Sequence, residues 1–141
     1  MSDTVVDSSV VAKWVLPEPD SDHAQRLISE VALKGDRLII LDLALAEVAN
    51  AIWKRYHRGL VTLDEARQLL DKLLRSPVDV DPAADLLKPA LEIAARHDRA
   101  VYDALFIALS QDVGLPGVTA DEPLYDAVQA DFPPIILLRN W

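Results

Sequence analysis

Short apolar, β-branched runs recur along this chain with longer amphipathic stretches between them, and that alternation limits the fold more than any other feature. The run IILL near the C-terminus is apolar throughout. A strand with no polar face must be covered on both sides, as in a parallel sheet wrapped by helices. The spacing predicts strands over Thr4–Asp7, Arg37–Leu41, Pro77–Val80, Gly117–Thr119 and Ile135–Leu138. It predicts helices over Val10–Val15, Ser21–Lys34, Leu43–Arg58, Leu63–Arg75, Ala83–His97, Tyr102–Asp112 and Glu122–Ala130. Asp20 and Thr62 stand where N-caps belong, and Gly35, Gly59 and Gly114 stand where helices should stop. The pair Leu43–Arg58 and Leu63–Arg75, joined through Gly59, reads as a helical hairpin inserted between strands.

The expected fold class is therefore α/β with a central parallel sheet. No repeat, low-complexity tract or linker divides the 141 residues, so one domain over 1–141 is expected. Apolar residues make up 51% of the chain and charged residues 26%, proportions of a folded globular protein. No apolar run is long enough to cross a bilayer, and the opening MSDTVV lacks the basic start and apolar stretch of a signal peptide. With no cysteine, disulfides and thiolate metal sites are excluded. The expectation is a cytoplasmic protein without a membrane partner. A net charge of −9 excludes bulk attraction to nucleic acid, so nucleic-acid chemistry would need a local basic patch or bound cations.

Ligands of open α/β sheets bind beyond the carboxyl ends of the strands. Acids recur at those places: Asp7 after the first strand, Glu47 in the opening turn of the helix after the second, Asp103 at the start of YDALFIALS, and Asp121 after GVTA. Each has a structural alternative. Asp7, Asp103 and Asp121 have the spacing of helix caps, and Glu47, Asn50, Lys54 and Arg58 that of a solvated helical stripe. Brought together, however, two unit charges about 5 Å apart repel by on the order of 3 kcal/mol at an effective dielectric near 20. Such a cluster must take up protons or a cation. Oxygen-only ligands suit Mg²⁺ or Mn²⁺ rather than zinc, and His23, His57 and His97 do not follow strands. A carboxylate-held Mg²⁺ can activate water and stabilise a phosphodiester transition state. Ser8 and Thr119 offer hydroxyls to orient the carboxylates, or simply bond to nearby backbone.

Four segments in order, VVDSSVVAKWVLPE, LALAEVANAIWKR, YDALFIALS and VTADEPLYDA, resemble those of PIN domains, and most closely the VapC ribonuclease toxins of prokaryotic toxin–antitoxin pairs. The resemblance covers nearly the whole chain. It implies a three-layer α/β/α sandwich with an acidic pocket at one sheet edge. It also implies Mg²⁺- or Mn²⁺-dependent endonucleolytic cleavage of RNA by a metal-activated water. Asp7, Glu47, Asp103 and Asp121 occupy the family's acidic positions, whether as direct metal ligands or through water. Ser8 or Ser9, Asn50 and Thr119 match polar positions around them. The resemblance further implies a homodimer silenced by a cognate antitoxin.

The chain departs from the family in two places. LDLAL stands where a proline often precedes the second acid, and Glu122 and Asp126 crowd Asp121. Lys13, Lys54, Arg55 and Arg58 are the candidate RNA contacts, the last three from the dense basic run KRYHR; a solvated surface is the alternative. Trp14, Trp53 and Trp141 read as packing residues or base-stacking platforms, and Glu18 as a loop acid beside the pocket. The general base stays open between a metal-bound hydroxide and a pocket carboxylate. A receiver-like module would pair acids after its first strand and place a lysine after a late one; serines follow Asp7, and no lysine follows Lys88. A haloacid-dehalogenase site needs a second Asp where Ser9 stands. A catalytically inactive PIN-like binding module is the remaining alternative.

Overall fold

A computed structural model describes residues 3–141. Five parallel strands, β1 (Thr4–Val6), β2 (Leu38–Leu41), β3 (Val78–Asp81), β4 (Gly117–Thr119) and β5 (Ile135–Leu137), form a sheet in the order β3-β2-β1-β4-β5. Seven α-helices accompany them: α1 (Ser8–Val15), α2 (Ser21–Leu33), α3 (Asp42–His57), α4 (Leu63–Leu74), α5 (Leu87–His97), α6 (Val101–Val113) and α7 (Glu122–Val128). In the centre of the sheet, Val5 lies opposite Ile39 on one side and Gly117 on the other.

Alternation along the strands sends side chains into two separate cores. Val6, Leu38, Ile40 and Val118 point into a cluster closed by α1, α2, α3 and α4. Val5, Ile39, Leu41 and Ile135 point into the other, closed by α5, α6 and α7. This is the expected three-layer sandwich, with α3 and α4 as the inserted hairpin. Helix α6 is buried along its middle, from Ala104 through Ser110, which explains why its sequence has almost no polar face.

Local chemistry accounts for most boundaries. Thr62 and Glu65 close a reciprocal capping box at α4. Gly114 ends α6 at φ 67°, a left-handed conformation that costs other residues a Cβ clash. Several boundaries differ from expectation. Residues Ala83–Leu86 form a short 3₁₀ turn, and α5 begins only at Leu87. A continuous helix from Ala83 would put Pro89 in its interior, without an N–H and against the carbonyl of Asp85. Restarting at Leu87 places that proline in a first turn, where the N–H has no intrahelical partner anyway. Asp20 occupies the N-cap position of α2 but makes no capping bond. Ser21 organises that corner instead, accepting from the Glu18 N–H and donating to the Leu16 carbonyl. Helix α1 starts two residues earlier than expected, at Ser8, because the Asp7 carboxylate accepts the Ser8 N–H.

No described helix is long and apolar enough to cross a membrane.

Candidate functional site: an acidic pocket at the carboxyl edge of the sheet

Strand β1 ends at Val6, so Asp7 is the first residue beyond the sheet, with extended backbone and its side chain turned to the start of α1. Its Oδ1 accepts from the Ser8 N–H at 2.9 Å. Its Oδ2 accepts from the Ser9 hydroxyl and from the Thr119 hydroxyl, both at 2.8 Å. Each hydroxyl is held from behind: Ser9 Oγ accepts from the Ala120 N–H at 3.0 Å, and Thr119 Oγ1 from the Asp121 N–H at 3.1 Å. Both hydroxyl protons are thus committed to Asp7, and the 3.4 Å separation between the two oxygens is a contact without a proton to share. The lattice works because β1 and β4 are neighbours, which lets residues 112 apart in sequence meet.

A cavity of about 240 Å³ opens over this carboxylate, lined by Asp7, Glu47, Asp103 and Asp121 together with Ser8, Ser9, Ala12, Val48 and Tyr102. All four acids singled out in the sequence therefore share one pocket. Burial pushes the Asp7 carboxyl above its ordinary range; the bonds from Ser9, Thr119 and Ser8 oppose that, and the nearby Asp103 charge adds to it. Glu47 is also pushed up, chiefly by burial and then by Asp7, with Ser8 opposing and Asp103 adding a smaller push. Glu47 is the sixth residue of α3, which begins at Asp42, so it lies beyond the opening turn where the sequence placed it. Helix-dipole help fades within that first turn.

Asp103 is the third residue of α6; Ala100, not Asp103, occupies the cap position. Its Oδ2 receives Arg99 Nη2 at 3.0 Å. Asp121 caps α7 through the Leu124 N–H at 3.0 Å while lining the pocket, so its structural and site readings hold together. Of the two crowding acids, Glu122 ion-pairs with Arg139 and Asp126 is exposed; neither lines the pocket. Asn50 is exposed and outside the lining as well.

The candidate RNA contacts divide into two groups. Lys13 lies 3.7 Å and Arg55 3.5 Å from the two oxygens of Glu18, so that acid is occupied by cations rather than aimed at the pocket. Lys54 and Arg58 stay exposed farther along α3. Trp14 donates to Ser76 at 2.7 Å beneath Lys72, Trp141 packs on Arg26, and Trp53 stacks on His57.

Sequence reasoning missed two residues of the pocket and its rim. Tyr102, 66% exposed, was passed over because a tyrosine beside an apolar helix gives no signal of its own. Arg99 stands four residues before Asp103 but ahead of the helix, so helical spacing did not flag the pair. Among the described residues, Asp20, Asp22 and His23 form a trio whose ligand atoms lie within 4.8 Å of one another. It sits at the start of α2, apart from the pocket lining.

A family model for the PIN domain matches residues 4–129. The chain belongs to the PIN domain family. Ribonuclease VapC3 from Pyrobaculum aerophilum is 38% identical over 128 residues, covering 89% of this chain and 95% of that protein. Among solved structures, PAE2754 from Pyrobaculum aerophilum superposes with a TM-score of 0.75 at 25% identity, covering 99% of this chain and 85% of that one. A toxin–antitoxin complex from Klebsiella pneumoniae matches with a TM-score of 0.63 at 15% identity, covering 96% and 97%. PIN nucleases generally use divalent metal ions, and the pocket's donor set suits one. It offers carboxylate and hydroxyl oxygens without sulfur or imidazole, and two of its carboxyls, Asp7 and Glu47, are pushed up by burial and by neighbouring carboxylates.

Proposed function

We propose that this chain is a Mg²⁺- or Mn²⁺-dependent endoribonuclease of the VapC kind, the toxin half of a toxin–antitoxin pair, with Asp7, Glu47, Asp103 and Asp121 as its ion-binding and catalytic residues. The observation that carries the reading is the convergence of these four acids in one pocket, with Asp7 fixed by two hydroxyls and a backbone N–H. Three donors on one carboxylate set its orientation before any ligand arrives, so little is lost to reorganisation on binding. A divalent cation supplies Lewis-acid charge for the scissile phosphate and lowers the pKa of water. Thr119 and Ser9 keep Asp7 turned toward the pocket. Glu47, whose carboxyl is pushed up, is suited to hold a proton taken from the attacking water. Asp121, anchored on the Leu124 N–H through Oδ1, has Oδ2 for the pocket.

The acidic surface is compatible with RNA because the cations would reverse its sign at the one place where phosphate must approach. Lys54 and Arg58 are the exposed basic side chains proposed to meet the backbone beyond the pocket. The VapC likeness extends the reading to a single cytoplasmic domain, a homodimer and a cognate antitoxin that blocks the pocket.

The test is cleavage of RNA by purified, antitoxin-free protein with Mg²⁺, Mn²⁺ or EDTA, beside Asp7→Asn and Asp103→Asn. Metal-dependent cutting that both substitutions abolish is expected. Cutting that survives EDTA and both substitutions would overturn the site. Calorimetric Mg²⁺ binding without any cleavage would instead support a binding-only PIN module.

A further inference from the structure

Arg99 is not among the proposed ion-binding residues, and its placement is odd for a residue that merely stabilises a helix. It precedes α6, whose first residue is Val101. A cation at a helix N-terminus faces the positive pole of the macrodipole, and a cation four residues before an acid is the less favourable order for such a pair. Asp103 alone would serve that terminus better. Yet Arg99 Nη2 sits 3.0 Å from Asp103 Oδ2, with the two side chains only 24% and 31% exposed. Its Nε is buried and makes no hydrogen bond among the described residues, so the guanidinium is held on Asp103 with part of its donor capacity unspent. No other pocket carboxylate is ion-paired among the described residues.

We infer that Arg99 is an internal counter-cation: it holds Asp103 while the pocket is free of metal, yields that oxygen when a divalent ion binds, and then donates to a phosphate oxygen of the RNA. The inference rests on the ion-binding role proposed for Asp103. Arg99 is a positioning residue in the first state and a substrate contact in the second. Its two roles give opposite signs to two measurements. Removing the charge relieves competition for Asp103, so the metal binds more tightly. It also removes a donor to phosphate, so RNA binds less well. A residue that only supported the fold would weaken both together.

The experiment titrates the purified full-length chain with Mn²⁺, reading free ion by electron paramagnetic resonance, for wild type, Arg99→Gln, Arg99→Lys and Asp7→Asn. Arg99→Gln is expected to tighten Mn²⁺ binding on the order of tenfold, while KM for RNA rises several-fold with kcat little changed. Arg99→Lys, which keeps the charge and loses the fork, should leave Mn²⁺ affinity near wild type. Thermal melts confirm that each variant is folded. Unchanged or weaker Mn²⁺ binding by folded Arg99→Gln overturns the inference, provided Asp7→Asn has lost the ion. Should Asp7→Asn bind Mn²⁺ as well as wild type, the ion lies elsewhere, and both the pocket reading and this inference fall.

Discussion

Replacing Asp7 by Asn should make the metal-free protein more stable at neutral pH, although it removes a carboxylate with three hydrogen bonds. The amide is close in shape to the carboxylate. Its oxygen can keep the Ser8 N–H, and its nitrogen then faces Ser9 Oγ and Thr119 Oγ1 where Oδ2 was. Each hydroxyl already accepts one backbone N–H and has a second lone pair to offer. The nitrogen can donate to Thr119 Oγ1, whose own proton then turns across the 3.4 Å gap to the free lone pair of Ser9 Oγ, leaving the Ser9 proton and the second amide hydrogen to the open pocket. That rearrangement costs about 1 kcal/mol. Against it stand the burial of the Asp7 charge, the larger cause, and its repulsion by neighbouring carboxylates; two such charges about 5 Å apart would repel by on the order of 3 kcal/mol at an effective dielectric near 20. Arg99 already offsets part of the Asp103 charge, and Glu47 is exposed and screened by solvent, so the net gain should be about 1–2 kcal/mol.

With an unfolding entropy of about 2.1 cal/mol/K per residue, 141 residues give roughly 0.3 kcal/mol/K, and the gain becomes about 3–7 °C in Tm. The sign follows from linkage. Asp7 has a raised pKa in the folded state, so the folded protein binds more protons than the unfolded chain across the window above the ordinary Asp value. Wild-type stability in EDTA should therefore fall as pH rises through that window. Below the unfolded pKa of about 3.9 the difference between the two proteins should vanish. Scanning calorimetry in EDTA at pH 4 and pH 8 measures this, and added Mg²⁺ should stabilise wild type only. A lower Tm for Asp7→Asn at pH 8, or an equal gain at both pH values, would refute the electrostatic reasoning.

Three further substitutions separate site from scaffold. Thr119→Val keeps the shape of a fully buried side chain but removes the donor to Asp7 and strands the Asp121 N–H. It should cost about 1–3 kcal/mol in denaturant titrations, push the Asp7 carboxyl still higher, and weaken Mg²⁺ binding by calorimetry. Thr62→Ala breaks the capping box of α4 and should cost about 1 kcal/mol with RNA cleavage unchanged. At Gly117 a Cβ would stand 2.9 Å from Phe106 Cζ and 3.0 Å from Ile135 Cδ1. Gly117→Ala should thus lower the urea midpoint by the equivalent of about 1–3 kcal/mol, and the double variant with Phe106→Leu should recover part of the loss.

The sheet and its helices were legible because their signals are local. Two-sided apolar runs mark the strands, the Thr62–Glu65 spacing marks a helix start, and Gly114 marks a stop. Pro89 holds the information for the late start of α5, since its missing N–H suits a first turn and not a helix interior, but the apolar periodicity from Ala83 onward masks it. The four pocket acids were also visible: Asp7, Asp103 and Asp121 follow a strand or open a helix, and Glu47 lies one turn into the helix after β2. What no local pattern contained was their electrostatic state. Capping and metal binding demand the same residue types at the same spacings, so sequence alone left Asp7 and Asp121 divided between the two. The strand order resolves the geometry: with β4 beside β1, Thr119 reaches Asp7 beside the local Ser9, and the remaining acids arrive from α3, α6 and the start of α7. Burial and the charges of distant segments then raise the Asp7 and Glu47 carboxyls. The same packing occupies Lys13 and Arg55 with Glu18 and brings Arg99 onto Asp103. Secondary structure depends on neighbours a few residues away and is written along the chain. The charge balance of a pocket depends on neighbours a hundred residues away, and only the tertiary fold decides which they are.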